Sequence, residues 1–355
     1  MELFATEGMQ RVLFSSGGSD ANETALKLAR QYWKLVGEPD RVKIISLKYA
    51  YHGVHYGVLS ANGNPPFRHA YEPLMPNFFQ IETPFWFRSP FPADSPEELG
   101  RLCAAQLESE IQKQGAGTVA AFIAEPIQGA GGVIVPPPNF WPLVRAICDR
   151  YGVLLIADEV VTAFGRPGSM SGARLWGVKP DIMAVAKGIN SGYVPLGATM
   201  LNERVTSAWD KTDPLAPIMH GYTYSGHPLA CAAANAALEI VEREDLPGNA
   251  ARMGHYLHER LADFPNRYAF VGEVRGVGLM RVIEFVKDKA TRTPWAPTDP
   301  LQRRIIALCK ERGAIVRVQG TRMILSPPLI INRAQIDEMV AIFTDAFNTF
   351  QQELD

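Results

Sequence analysis

Through the first two thirds of the chain, short apolar runs alternate with amphipathic stretches. The runs are 43–47 (KIISL), 119–124 (VAAFIA), 153–157 (VLLIA) and 182–186 (IMAVA). Polar residues, Gly or Pro bound each run, and Val, Ile and Ala dominate it. That pattern predicts strands buried on both faces, as in a parallel sheet. Between them the apolar positions recur with helical spacing over 21–36, 96–114 and 142–151. Strand and helix in alternation predict an α/β fold with a mostly parallel central sheet flanked by helices. Helical patterns follow over 228–244 and 250–263. The last third reads differently, with strands over 271–285 and 315–325 and helices over 301–312 and 333–350. We read it as a smaller C-terminal α+β domain, giving domains 1–240 and 241–355. The stretch 65–96, rich in Pro, Phe and Trp without periodicity, reads as an ordered surface loop near an opening or a subunit contact.

Composition narrows the class. At 355 residues, 47% hydrophobic and 20% charged, the chain reads as an ordinary globular protein of two domains, or of one large domain with an appendage, not a disordered, collagen-like or coiled-coil one. Lys and Arg total 35 against 37 Asp and Glu, a net charge of −2. So even a balance predicts no nucleic-acid partner and no anionic membrane surface. No apolar run is long enough to span a bilayer. Residues 1–8 lack the basic and apolar regions of a secretory signal. The four cysteines show no paired spacing, which fits a reducing cytoplasm. The H-x-x-H pairs His52/His55 and His255/His258 lack a carboxylate or cysteine set nearby, so no metal site is expected.

The chemistry lies where the runs end. VAAFIA runs into Glu125, VLLIA into Asp158-Glu159, and IMAVA into Lys187-Gly188. In open α/β sheets, ligands sit beyond the carboxyl ends of the strands. Charges of both signs at successive ends point to one shared site. Upstream, Ser15-Ser16-Gly17-Gly18-Ser19-Asp20 opens a helix. Backbone N–H groups at such a terminus bind phosphate; a simple N-cap by Ser19 or Asp20 is the alternative. The stretch Gly115-x-Gly117-x-x-Ala120 precedes a strand rather than following one, which is the wrong context for a dinucleotide. An anion cradle, a lysine that can form an imine and a carboxylate for a ring nitrogen together suit pyridoxal phosphate.

With these residues in place, the sequence resembles the class III pyridoxal-phosphate-dependent aminotransferases of fold type I, and among them the ω-amino acid and amine:pyruvate transaminase branch. The resemblance rests on GGSDANETALKLAR (17–30), YHG (51–53), AFIAEPIQGAGG (121–132), LLIADEVVTAFGR (154–166), PDIMAVAKGINSGYVPLGA (180–198), HGYTYSGHPLACAAANAAL (220–238) and VRGVGLM (274–280). It implies that Lys187 holds the cofactor as an imine and carries the proton, and that Asp158 pairs with the ring nitrogen. It places Val160 and Tyr51 on the two ring faces and Gly18 and Ser19 at the phosphate; His52, counted with the cofactor-binding residues, has a weaker case, as suited to local hydrogen bonding as to catalysis. Glu125 would stand near the phenolic oxygen. Thr223 would reach the phosphate of a neighbouring subunit's cofactor, which implies a homodimer and allows a tetramer. Arg317 would clamp the carboxylate of an α-keto acid acceptor or of the donor, with Arg322 as the rival. Glu159 has a weaker case.

The implied reaction is a ping-pong transfer of an amino group from an amine or ω-amino acid to an α-keto acid such as pyruvate. Two alternatives stay open: an aminomutase, racemase or decarboxylase on the same scaffold, and a shortened inactive paralogue. Family members carry a longer segment before the phosphate loop, which here arrives at residue 17, so that segment is expected to be missing.

Overall fold

The computed structural model describes residues 2–210, 218–296 and 299–354. The chain forms two units: one of Met1–Gly131, Pro136–Phe164 and Ser169–Glu244, the other of Gly132–Val135, Gly165–Gly168 and Asp245–Asp355.

The first unit is built on a seven-stranded sheet. Its strands are β1 (Met9–Ser15), β2 (Lys43–Leu47), β3 (Phe78–Ile81), β4 (Val119–Ala124), β5 (Leu154–Asp158), β6 (Ile182–Val185) and β7 (Gly197–Asn202), in the spatial order β1-β7-β6-β5-β4-β2-β3. Neighbours from β3 to β6 run parallel. β7 runs antiparallel to both β6 and β1. β1 therefore points the same way as β6, and its carboxyl end lies at the same sheet edge. All four apolar runs are strands within a residue of their predicted bounds. On β4, Ala121 and Ile123 enter one core and Phe122 and Ala124 another. A strand whose alternate residues are buried on opposite faces has no polar side to show, which is why it reads as a continuous apolar run. Phe122 and Ala124 pack with the helices Pro96–Gln114 and Phe140–Tyr151; Ala121 and Ile123 pack with α1 (Gly18–Leu35).

β1, β3 and β7 escape the sequence pattern. β1 mixes buried, half-buried and exposed positions, β3 has four residues, and β7 starts with Gly and ends with Asn. β3 corrects the reading of 65–96 as a surface loop. This segment supplies a sheet-edge strand paired with β2, and Ile81, Phe85 and Phe87 are buried.

In the second unit the stretch 271–285 forms a hairpin, β8 (Val271–Val277) and β9 (Met280–Phe285). β10 (Arg317–Gln319) and β11 (Arg322–Leu325) complete an antiparallel sheet in the order β10-β11-β9-β8. The helices Leu246–Leu261, Leu301–Glu311 and Arg333–Leu354 pack on it. The first begins four residues before its predicted start at residue 250, because Asp245 caps it through Gly248 N and Pro247 suits its first turn.

Candidate active site

The site grows from strand ends in the first unit. Asp158 is the last residue of β5 and pairs in register with Ala184 of β6. Lys187 follows β6, and Glu125 follows β4. Across β6 and β7, Val185 pairs with Ala198, and Gly197 pairs with Ser15 at the end of β1. The three charged residues and the turn into α1 thus share one sheet edge, as the sequence predicts.

Asp158 is nearly buried, and protein donors converge on its carboxylate. Its Oδ2 accepts from Asn22 Nδ2 at 2.8 Å and pairs with His52 Nδ1 at 2.8 Å. Its Oδ1 accepts from Val160 N at 3.1 Å. Two asparagines also fix the backbone beside it: Asn22 Nδ2 donates to His52 O, His52 N donates to Asn62 Oδ1, and Asn62 Nδ2 donates to Gly53 O. His52 Nε2 and Asn22 Oδ1 are buried without a hydrogen-bond partner.

Sequence reasoning singled out His52 but neither asparagine. Asn22 had a readable signal: it stands four residues after Gly18, one helical turn on and on the same face of α1. Asn62 had none, because its role depends on a loop folding back on residues 52 and 53.

No side chain caps α1 at Gly17. The two capping candidates are engaged elsewhere: Ser19 Oγ accepts from Val54 N at 3.2 Å, and Asp20 Oδ2 accepts from Ser16 N at 3.0 Å. The first N–H groups of α1 thus have no capping side chain, and the helix dipole adds positive potential there. A Cβ on Gly18 would stand 2.8 Å from Val160 Cγ1, so only glycine lets α1 approach the loop after β5 this closely.

Glu125 Oε1 accepts from Tyr51 N at 3.0 Å and Oε2 from Gly129 N at 2.8 Å. Burial first, then the nearby Asp158 charge, pushes its carboxyl up to about 7. The Tyr51 ring lies 4.9 Å from that of Phe67. Lys187 is exposed, with φ of +40°, a left-handed conformation that costs a residue with a Cβ. Thr223 sits exposed in a turn pinned by Ser225, whose Oγ donates to Phe14 O at 2.7 Å.

Glu159 leaves the site. Its carboxylate accepts from Gly172 N at 2.9 Å, Ala173 N at 2.6 Å and Thr162 Oγ1 at 2.5 Å. It serves as a buried anchor for the loop that follows β5. The histidine pairs also separate: His55 bonds Asp20 at 2.7 Å, and His255 pairs with Glu259 at 3.2 Å. In the second unit, Arg317 is exposed on β10, and its Nη2 donates to Gln319 Oε1 at 3.1 Å. Arg322 is drawn to the buried Glu284, with Nε 3.6 Å from Oε2.

The family model Aminotransferase class-III matches residues 1–347. An amine transaminase from an uncultivated Pseudomonas species, solved in its PLP-bound internal aldimine form, superposes with a TM-score of 0.96 at 52% identity, covering 98% of this chain and 79% of that one. The putrescine–pyruvate aminotransferase of Pseudomonas aeruginosa is 40% identical over 95% of this chain and 73% of its own length. The diaminobutyrate–2-oxoglutarate transaminase of Halomonas elongata is 40% identical over 97% of this chain and 74% of its own.

The residues fit the cofactor of that family. A buried acid furnished with donors suits a ring nitrogen, an uncapped helix start suits a phosphate, and a lysine at the same sheet edge suits an aldehyde. The chain belongs to the class III aminotransferases, a transaminase whose cofactor is pyridoxal phosphate.

Proposed function

We propose that this transaminase moves an amino group from an amine or ω-amino acid to an α-keto acid such as pyruvate, in two half-reactions at one site. The observation that carries the reading is the meeting of Lys187, Asp158 and the uncapped start of α1 at one sheet edge. When bound, the cofactor supplies the electrophilic aldehyde and the electron-withdrawing ring that amino transfer needs.

The chain's own residues do the rest. Lys187 would hold the cofactor's aldehyde through Nζ, and the same nitrogen, as a free amine, would take the proton from the donor's carbon and pass it on. Asp158 holds the ring proton by a charge-assisted hydrogen bond. Val160 and Tyr51 would enclose the ring, with His52 bonded to the acid. The N–H groups of Gly18 and Ser19 would hold the phosphate. Glu125 orients the Tyr51 and Gly129 backbone on the phenolic side. Thr223, exposed in its turn, serves the phosphate site of a second copy in a homodimer. Arg317 clamps the acceptor carboxylate with its planar fork; it is preferred over Arg322 because Arg322 already faces the Glu284 carboxylate. All four cysteines are free, which supports a cytoplasmic setting.

The similar putrescine–pyruvate aminotransferase supports pyruvate as acceptor. The direct test is Lys187→Ala in protein mixed with pyridoxal phosphate. We expect loss of the yellow absorbance and of turnover, and turnover persisting in the variant would refute the lysine's role. With the unaltered protein, consumption of β-alanine, putrescine or 1-phenylethylamine should require pyruvate. Conversion of any of them without a keto acid would favour a racemase, mutase or decarboxylase.

A further inference from the structure

We propose that Asn22 is a positioning residue: its side-chain amide, donating at once to Asp158 Oδ2 and to the His52 backbone carbonyl, fixes the acid that faces the cofactor's ring nitrogen. This rests on the reading of Asp158 given above.

The observation is the double donation itself, at 2.8 Å to Asp158 and 2.9 Å to His52 O. Both acceptors are oxygens that can only accept, so the amide orientation is forced: the NH2 must face them. Asn22 is 1% exposed, and its own Oδ1 has no partner. A residue present only to fill α1's buried face would not need an amide, and leaving that oxygen unsatisfied is costly. The surroundings repeat the theme. Asn62 fixes residues 52 and 53 by their backbone alone, whereas Asn22 is the asparagine that also touches the acid. It ties together α1, the end of β5 and the Tyr51–Gly53 loop, which are far apart in sequence.

The chemical consequence follows from hydrogen bonding to a carboxylate. Without the amide, Oδ2 keeps His52 as its donor. Without that tie the carboxylate is free to turn, and it pairs less well with the ring nitrogen, which then holds its proton less firmly. A ring with less positive charge leaves the lysine-bound nitrogen more basic, so the yellow colour persists to higher pH.

The test uses the full chain reconstituted with pyridoxal phosphate. Two readouts are taken: the cofactor concentration needed for half-maximal colour, and the pH at which the colour fades. For Asn22→Leu, equal in size and without a donor, we expect affinity to fall by about tenfold or more and the fading pH to rise. Asn22→Asp keeps the shape and serves if the leucine variant does not fold. Its new carboxyl, buried against Asp158, takes up a proton at low pH and can then donate one hydrogen bond, to Asp158, where the amide donates two. We expect tighter binding in mild acid than in mild alkali, where the variant is as weak as Asn22→Leu, a pH dependence a space-filling residue would not create. Affinity and fading pH unchanged in Asn22→Leu, or an Asn22→Asp affinity that does not vary with pH, overturns the proposal. Lys187→Ala, run alongside, keeps the two readings apart. If it stays colourless while the Asn22 variants match wild type, only the role of Asn22 falls; if it colours normally, the site reading falls first.

Discussion

Gly18 and Asn22 lie one turn apart on α1 and show what a sequence displays and what it withholds. Gly18 belongs to a recognisable run of small polar residues before a helix. The need for glycine is steric, since a Cβ would press within 2.8 Å of Val160 Cγ1. Gly18→Ala should therefore push α1 away from the loop after β5 and weaken cofactor binding about tenfold or more. Titrating the variant with pyridoxal phosphate measures this, and an unchanged affinity would show that the contact yields easily. Asn22 was hidden because its meaning lies in a hydrogen bond to a residue 136 positions away. Lys187, Asp158 and Glu125 were legible for the opposite reason. A charge that ends an apolar run has few structural reasons to be there, and three at successive strand ends compound the signal.

At the scale of elements, neighbouring residues on a strand diverge. Asp158 and Glu159 look alike in sequence, yet a strand turns adjacent side chains to opposite faces. Asp158 meets α1 and the His52 loop, and Glu159 goes to the backbone at Gly172 and Ala173. Burial, with a smaller push from Glu7, raises the Glu159 carboxyl from 4.5 to about 7, against the pull of its three donors. The folded state thus holds this proton more tightly than the unfolded chain does. Its contribution to stability is complete below about pH 4.5 and is lost as pH rises through about 7, by up to about 3 kcal/mol. Glu159→Gln removes the titration. The stability of the cofactor-free wild type, measured relative to that variant by urea unfolding, should fall across this window; parallel curves would show that Glu159 is already ionised throughout. The same scale explains which strands could be read. Strands buried on both faces announce themselves, whereas β1 and β3 at the two sheet edges carry mixed or short patterns.

On the scale of the whole molecule, the chain divides into two units, the first built around two apolar cores and the second around one. The second unit's core is aromatic. Phe347 stands 5.6 Å from Phe264, 5.4 Å from Tyr268, 5.3 Å from Phe270 and 5.7 Å from Phe285, ring centre to ring centre. Phe347→Ala should cost about 3–5 kcal/mol, read from denaturant unfolding. A loss below about 1 kcal/mol would mean that the neighbouring rings close the gap. The sequence announced this unit as a change of character in the last third, but not its two earlier pieces.

Those pieces have a practical meaning for anyone who would recombine such enzymes. Gly132–Val135 and Gly165–Gly168 belong to the second unit although the chain reaches them long before residue 245. Arg275 Nε donates to Val133 O at 3.0 Å, and Leu279 N donates to Arg166 O at 3.1 Å. A chimera joined at residue 244 would inherit these two patches from one parent and the hairpin they brace from the other. Swaps between homologues should succeed when both four-residue stretches travel with the tail, and falter at a single crossover, however well the junction itself is chosen.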